Sequence, residues 1–211
     1  MTHVEAVHQF HSGTAPGDAI TNQMLEVQAH LRRLGWRSEV FAEHIAPELA
    51  HLVLPLAAYE GSDRELLLVH HSHGSHAFDD VIELPNPVVA MYHNITPEHF
   101  FEDPVARRFS RIGREQLACL ARRSLFGLAD SNYNRAEMLE VGFKRVDVLP
   151  VRVDFSEFEP SGRLGSPASD DWLFVGRVVP NKCQHLLIEA FATYARTFDL
   201  RARLHLSLIH I

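Results

Sequence analysis

Several short segments of this chain are mostly apolar and are separated by longer amphipathic segments. Residues 65–71 (ELLLVHH) and 87–92 (PVVAMY) are two of them, and neither shows the strict alternation of a half-exposed strand. A strand of this kind is buried on both faces, which requires helices above and below the sheet. The sequence therefore predicts an α/β fold with a parallel sheet and helices on both faces.

Helical periodicity is clearest in the first amphipathic segment. Ile20, Met24, Val27 and Leu31 recur at spacings of three and four residues, and Gly35 follows as a stop. The same reasoning along the chain predicts strands at residues 4–10, 38–42, 65–71, 87–92, 126–130 and 145–150, and helices at 18–34, 104–124 and 132–141.

The composition changes after residue 156. Residues 157–171 (EFEPSGRLGSPASDD) are rich in Pro, Gly, Ser and Asp, and we interpret them as a linker between a first domain at 1–156 and a second part at 172–211. The second part is predicted to hold a strand at 172–176, a helix from about 182 to 197 and a strand at 202–206. Because roughly 40 residues bury too little apolar surface for a core, we expect it to be the incomplete start of a second domain. The last residues, 207–211 (SLIHI), resemble a translated sequencing adapter and are interpreted as an artefact.

Charge and cysteine content narrow the classes of function. The chain has 20 basic and 27 acidic residues and a formal net charge of −7, so its overall field does not attract nucleic acid. Two cysteines form no disulfide framework and fit a reducing compartment. The sequence has neither a signal-peptide pattern nor an apolar run of about 18 residues. We therefore expect a cytoplasmic protein that has no nucleic-acid partner.

The loop after the first strand contains two glycines, Gly13 and Gly17, and leads into Asp18 at the predicted start of a helix. Glycines let a backbone approach a ligand closely, and a helix N-terminus favours a phosphate. The spacing is not that of the dinucleotide fingerprint G-x-G-x-x-G. The alternative, favoured by this loop alone, is an ordinary strand-to-helix turn in which Asp18 caps the helix.

Two cations mark the start of the second part. Arg177 and Lys182 follow the strand at 172–176 and come just before a helix. Hydrogen bonds from cations at a helix N-terminus hold a diphosphate more strongly than the helix dipole does, at about 1.5 to 3 kcal/mol against about 0.3 to 1 kcal/mol. The alternative is that both side chains are merely solvated.

These motifs, taken in order, resemble the family 4 glycosyltransferases. Residues 174–182 (FVGRVVPNK) match the F-V-G-R-x-x-P-x-K pattern that opens the family's donor domain. Residues 129–132 (ADSN), Gly142 and residues 148–154 (VLPVRVD) are similar to its A-x-S…G…V-x-x-I-P-x-G-V-D stretch, although Arg152 stands where the family usually has Gly. The segments HQFHSGTAPGDAITNQ and YHNITP are similar to bacterial members that assemble polysaccharides.

The resemblance implies the GT-B architecture of two Rossmann-like domains, of which the first is the acceptor side. It implies transfer of a sugar, with retained anomeric configuration, from a nucleotide-diphosphate donor to a glycan or lipid-linked acceptor. Neither a metal nor a cofactor is expected. The family's E-x7-E motif does not occur before the end of this sequence, so we expect the chain as given to be inactive.

The same resemblance implies roles for single residues. Gly13 and Gly17 would approach the donor diphosphate, and Arg177 and Lys182 would hold it from the other side. His93, at the end of the strand at 87–92, would position the transferred sugar, since the leaving phosphate itself can take the acceptor proton. A hydrogen-bonded histidine at a strand end is the alternative for His93.

A cluster of histidines at His70, His71, His73 and His76 does not predict a metal site. The strand alternation places His70 on one face and His71 and His73 on the other, and neither a cysteine nor an H-E-x-x-H pattern accompanies them. We interpret the segment as a strand and loop near the cleft.

The helix at 104–124 combines a basic and an apolar side. Arg107, Arg111, Arg114 and Arg122 lie on one side, and Val105, Phe109, Ile112 and Leu120 on the opposite side, which we expect to pack on the sheet. A basic face is most often solvated. The sharper hypothesis is contact with a lipid-linked acceptor at an anionic inner-membrane surface.

Three other functions remain open at this point. Another GT-B enzyme such as a nucleotide-sugar 2-epimerase would use carboxylates and histidines in the cleft and would need no acceptor. A non-catalytic module would bind a glycan or partner protein without donor turnover. A nicotinamide oxidoreductase is the least favoured, because the glycine fingerprint is missing.

Overall fold

The computed structural model describes residues 4–152 and 170–208. They belong to two compact units, Met1–Val153 and Asp154–Ile211, which are described separately. The predicted boundary at residue 156 and residues 157–169 of the predicted linker lie outside the described residues.

The first unit is built on a seven-stranded sheet in which every neighbouring pair is parallel. The strands are β1 (Ala6–Thr14), β2 (Val40–Ile45), β3 (Leu54–Pro55), β4 (Glu65–His71), β5 (Val88–Tyr92), β6 (Ser124–Ala129) and β7 (Val146–Val148). The helices are α1 (Ala19–Arg33), α2 (Ala77–Glu83), α3 (Pro104–Arg123) and α4 (Asn132–Val141), with 3-10 turns at Pro47–Leu49, Leu56–Ala58 and Glu98–Phe100. The predicted parallel α/β fold is thus confirmed, and it is Rossmann-like.

Burial explains why the central strands are mostly apolar. In β4, Leu67 and Val69 join the main core cluster, while Leu68 between them belongs to a separate cluster with Val89 and Met91. Successive side chains of a strand point to opposite faces. Both faces of the sheet are therefore covered, as the absence of polar alternation predicts.

The strand order is β3-β2-β1-β4-β5-β6-β7. Strands β2 and β3 follow one another on one side of β1, and β4 to β7 follow one another on its other side. The order reverses between β1 and β4, so the loops leaving the carboxyl ends of these strands diverge and open a crevice.

Two parts of the sequence-based assignment need correction. No element was predicted between residues 42 and 65 or between 71 and 87, where the structure has β3 and α2. The predicted apolar face of α3 is also partly wrong: Val105 is 59% exposed, and the most buried positions include the small or polar residues Ser110, Gly113 and Gln116. The reason is that the loop after β4 packs closely against this helix.

That approach occurs where Gly74, in the loop after β4, meets Gly113 of α3. A Cβ added to Gly74 would lie 2.4 Å from the Phe109 carbonyl oxygen and 2.7 Å from the Gly113 backbone nitrogen. The Gly74 N–H donates to the same Phe109 oxygen over 3.2 Å. Backbone thus packs directly on backbone, and a larger apolar side chain has no room there.

The second unit consists of β8 (Trp172–Gly176), a 3-10 turn at Pro180–Lys182, α5 (Gln184–Thr197) and β9 (Leu204–Leu208), with β8 and β9 parallel. Trp172 packs against Phe191 and Tyr194 of α5. On the other face of β8, Leu173 and Val175 are 70% and 59% exposed. None of the described residues of α5 is buried.

Within residues 4–152 and 170–208, none of the helices has the length and apolar character needed to cross a membrane.

The contact between Gly74 and Gly113 leads to a stability prediction. We expect Gly74→Ala to lower the free energy of unfolding by about 1 to 3 kcal/mol, because the new methyl group meets immovable backbone atoms. Gly13→Ala is the matched control, since a Cβ there meets nothing closer than 3.8 Å. Urea unfolding of both variants measures the difference, and equal stability of the two would contradict the packing described.

Candidate functional site

A cleft of about 250 Å³ opens at the carboxyl ends of β1, β2 and β4, where the strand order reverses. Open α/β sheets bind their ligands at such switch points. The residues lining the cleft are Ser12, Gly13, Glu43, His44, His73, Gly74, Ser75, His76 and Phe109. Of the residues proposed from the sequence, Gly13 lies in this cleft.

Polar groups of the cleft are partly paired with one another. The Ser75 hydroxyl donates to the Glu43 carboxylate over 2.7 Å, and the Ser75 N–H donates to the side-chain oxygen of Gln116 over 3.1 Å. The rings of His73 and His76 contact Phe109 at centroid distances of 5.6 and 5.2 Å. A carboxylate, two imidazoles and an aromatic ring thus face one small space, a combination able to bind hydroxyl groups or to move protons.

His11 of β1 contacts Gly13 of the cleft. It is 8% exposed, its Nδ1 bonds the Gly13 carbonyl oxygen, and its Nε2 accepts from the Ser72 hydroxyl over 3.0 Å. Burial lowers the pKa of His11 below its usual value, although the bond to Gly13 opposes the shift. His11 is thus a neutral residue that holds the Gly13 backbone in place, a role that the sequence did not suggest.

His93 lies at the end of β5, but its side chain is only 1% exposed. Its Nε2 is 2.8 Å from Nδ1 of His70, and its Nδ1 is 2.9 Å from an oxygen of Asp130. Both ring nitrogens therefore already have partners within the protein. This arrangement corresponds to the alternative of a hydrogen-bonded strand-end histidine, and the sugar-positioning role stays a prediction.

The residue after His93 adopts an unusual backbone conformation. Asn94 has a φ of 66° and is exposed, and Asn tolerates this left-handed region better than other residues with a Cβ. The turn is held by Tyr92, whose hydroxyl accepts from the Ile95 N–H over 3.1 Å and donates to Glu137 over 2.8 Å. Asn94 is therefore an exposed polar group at a strand end that the sequence analysis did not single out.

The arginines of α3 are engaged in local contacts. Arg107 donates to the Phe101 carbonyl oxygen, and Arg111 pairs with Glu98 at 2.8 Å. This pairing lowers the pKa of Glu98 and raises that of Arg111. Arg114 is the least exposed of the three and bridges Glu137 and the Ile95 carbonyl oxygen. It therefore stabilises the turn after β5.

The N-terminus of α1 is capped from within the protein. The Asp18 carboxylate accepts from the Thr21 N–H over 2.8 Å and from its hydroxyl over 3.0 Å. Gly17 has a φ of +75°, which allows the preceding turn. The capping alternative is thus confirmed. The contact of Gly13 and Gly17 with a donor diphosphate stays a prediction.

The N-terminus of α5 differs, because no side chain caps it. Cys183 precedes the helix with a φ of 52°, and Lys182 lies in the 3-10 turn before it. Arg177 and Lys182 are both exposed, and among the described residues neither has an ion-pair partner. The described part of this unit therefore presents two exposed cations and a helix start to an anion.

The histidines near β4 diverge as the strand alternation predicts. His71 donates from Nε2 to the Gly113 carbonyl oxygen over 2.7 Å on the α3 side, while His70 points to Gln9 on the α1 side. In the part of the chain that the structure describes, no group of three or more His, Cys, Asp or Glu side chains could hold a metal ion.

A second cavity of about 530 Å³ adjoins the cleft and shares Glu43 and His76 with it. Its lining is largely apolar, with Leu56, Tyr59 and Val81 among its residues. Burial raises the pKa of Tyr59, so its hydroxyl stays protonated. Together the two cavities combine a polar part, the cleft, with a largely apolar part, the second cavity.

No model of a known protein family matches this chain, and no curated protein shows significant similarity to it.

Buried neutral histidines make the stability of this region depend on pH. Burial lowers the pKa of His71 from 6.5 to about 4. Between these values the unfolded chain binds more protons than the folded one, so stability is present above pH 6.5 and is lost as the pH falls. We expect His71 alone to reduce the free energy of unfolding by about 2 kcal/mol between pH 7 and pH 5.

The measurement is urea unfolding of the parent and of His71→Gln at both pH values. The variant keeps a donor for Gly113 but cannot be protonated, so its loss between the two pH values should be smaller. His51→Gln, at an exposed position, should lose as much stability as the parent. Equal losses in all three proteins would contradict the burial effect.

Proposed function

We propose that this protein is a GT-B glycosyltransferase of the retaining, metal-independent type, which moves a sugar from a nucleotide-diphosphate donor to a glycan or lipid-linked acceptor. The observation that carries the proposal is the cleft at the switch point of a Rossmann-like sheet, lined by the Gly13 backbone and by polar side chains. The motif resemblance supplies the reaction, because a fold by itself does not specify one.

Donor binding is assigned to two places in the chain. Gly13 offers a backbone that a ligand can approach, since nothing lies within 3.8 Å of a Cβ placed there. Arg177 and Lys182 offer charge at an uncapped helix start. Gly17 contributes through the turn that it permits, because the helix that follows is capped by Asp18.

The cleft suits the hydroxyl groups of a sugar better than the phosphates of a nucleotide-diphosphate donor. Glu43 contributes a carboxylate, burial lowers the pKa of the nearby His11, and the described residues that line the cleft include neither Lys nor Arg. Sugar hydroxyls donate well to a carboxylate, and the apolar cavity next to it accepts a hydrophobic portion of an acceptor. This charge distribution supports an acceptor-side role for the first unit.

To test donor binding, calorimetry measures the affinity of this chain for each of a panel of free nucleoside diphosphates. Arg177→Met and Lys182→Met should each weaken binding about 10- to 100-fold, because a hydrogen bond to a charged group contributes about 1.5 to 3 kcal/mol. Arg196→Met, which removes the same charge from the exposed last turn of α5, is the control and should bind like the parent. Failure of every nucleoside diphosphate to bind, or equal binding by all three variants, would contradict the proposal.

Contact with an anionic membrane is proposed for Arg107 and Arg111 only, because Arg114 and its partner Glu137 are less exposed than Arg111 and its partner Glu98. The double variant Arg107→Glu/Arg111→Glu should lose co-sedimentation with vesicles containing anionic phospholipid, since each basic residue near such a surface contributes about 1 kcal/mol. Arg32→Glu/Arg33→Glu makes the same charge change on α1 and serves as the control. Vesicle binding that both double variants retain would contradict the contact.

A nucleotide-sugar 2-epimerase is the second candidate, favoured by the presence of Glu43, His73 and His76 in one cleft. These are groups of the type that take and return protons. Incubation of nucleotide sugars without any acceptor distinguishes the two activities: an epimerase releases a changed sugar, whereas a transferase of the proposed type does not.

A further inference from the structure

A continuous hydrogen-bonded chain of side chains crosses the first unit beside the sheet. It runs from Asp130, after β6, through His93 and His70 to Gln9 of β1, and ends at the Met24 carbonyl oxygen of α1. The four distances are 2.9, 2.8, 3.0 and 2.9 Å. Gln9 is 0% and His70 2% exposed, and the His93 side chain 1%, so water cannot supply missing donors inside the chain.

The two ends of this chain fix the direction of its hydrogen bonds. A carbonyl oxygen only accepts, so the amide nitrogen of Gln9 must face Met24. The side-chain oxygen of Gln9 then faces His70, and Nε2 of His70 must carry a proton to donate to it. At the other end an ionised Asp130 carboxylate can only accept, so with Asp130 ionised Nδ1 of His93 carries a proton as well.

The imidazole rings of His70 and His93 therefore lie between two acceptors, the Gln9 oxygen and the Asp130 carboxylate. The two rings also contact each other. If each ring were neutral, its single proton would be used at the outer end, and two lone pairs would face each other across 2.8 Å between His70 and His93. A third proton is needed to make this contact a hydrogen bond. The alternative leaves two buried groups unsatisfied, which is costly in a protein interior.

We propose that the Asp130–His93–His70 chain holds three protons at neutral pH, with His93 as a buried imidazolium paired to the Asp130 carboxylate, and that Gln9 and His70 are positioning residues that impose this state. The chain is then neutral as a whole. The inference concerns protonation only and holds whichever reaction the protein performs.

The surroundings favour His93 over its neighbours as the site of the charge. Burial above all, and then the neighbouring His93 and His11 rings, lower the pKa of His70 well below its usual value. Burial also lowers the pKa values of His11 on β1 and His71 on β4, and His73 follows in the loop after β4. Among the residues that the structure describes, Asp130 is the one anion paired with this histidine pair, and it contacts His93.

Heteronuclear NMR of the histidine side chains tests the proposal, because it counts the protons on each ring nitrogen. In the parent protein at pH 7, His93 is expected to carry protons on both nitrogens and His70 on Nε2 alone. A His93 ring with a single proton at pH 7 would overturn the proposal.

Gln9→Leu separates an imposed protonation from a merely structural contact. Without the Gln9 oxygen, His70 is free to donate from Nδ1 to a neutral His93, so the third proton is no longer required. The ratio of doubly to singly protonated His93 at pH 7 should fall about tenfold, as expected when one hydrogen bond no longer depends on that proton. Gln28→Leu is the matched control: Gln28 is also buried and donates from Nε2 to a carbonyl oxygen, that of Ser38.

Asp130→Asn is the second variant, for the case that Gln9→Leu does not fold. Its position is 19% exposed in the side chain, and it removes the counter-charge, so the same fall in ratio is expected. If Gln9→Leu or Asp130→Asn leaves His93 as doubly protonated as Gln28→Leu does, the positioning role is wrong.

Discussion

Covering both faces of the central sheet is the constraint on which the rest of the first unit depends. Residues 67–71 of β4 and the whole of β5 are buried, so side chains there must be apolar or must find partners inside the protein. Leu67 and Leu68 satisfy the first condition on opposite faces. Gln9 and His70 satisfy the second by bonding to each other. Other polar side chains lie at the carboxyl ends of the strands, around the crevice between β1 and β4.

The sheet and its long helices could be predicted because each rests on a local pattern. The apolar segment that forms β4 is seven residues long, and α1 shows helical periodicity together with a capping Asp18. Helix α2 has neither signal. It spans seven residues, and His76 before it gives no side-chain cap, so its formation depends on Phe78 and Val81 packing into a core that other elements supply.

The candidate site was less predictable than the fold, because its contacts join residues far apart in sequence. His93 stands out as a polar residue at a strand end, but its partners His70 and Asp130 are fixed by the register of three strands. Arg114 belongs to a basic stripe in sequence, yet its contact with Glu137 turns it toward the protein. Glu43 carries no motif at all and reaches the cleft only because β2 lies beside β1. Patterns along a chain identify which groups are polar, whereas the tertiary packing decides what they face.

The contact of Gly74 with Gly113 also bears on how a ligand would enter the cleft. One wall of the cleft is main chain fixed against the main chain of α3, with no rotatable side chain between them. A wall of this kind has little conformational freedom left to lose, and ordering loops and rotamers is a large part of the entropic cost of association. The two glycines thus make that side of the cleft a preorganised surface, so discrimination among ligands falls to Glu43, His73 and His76 around it.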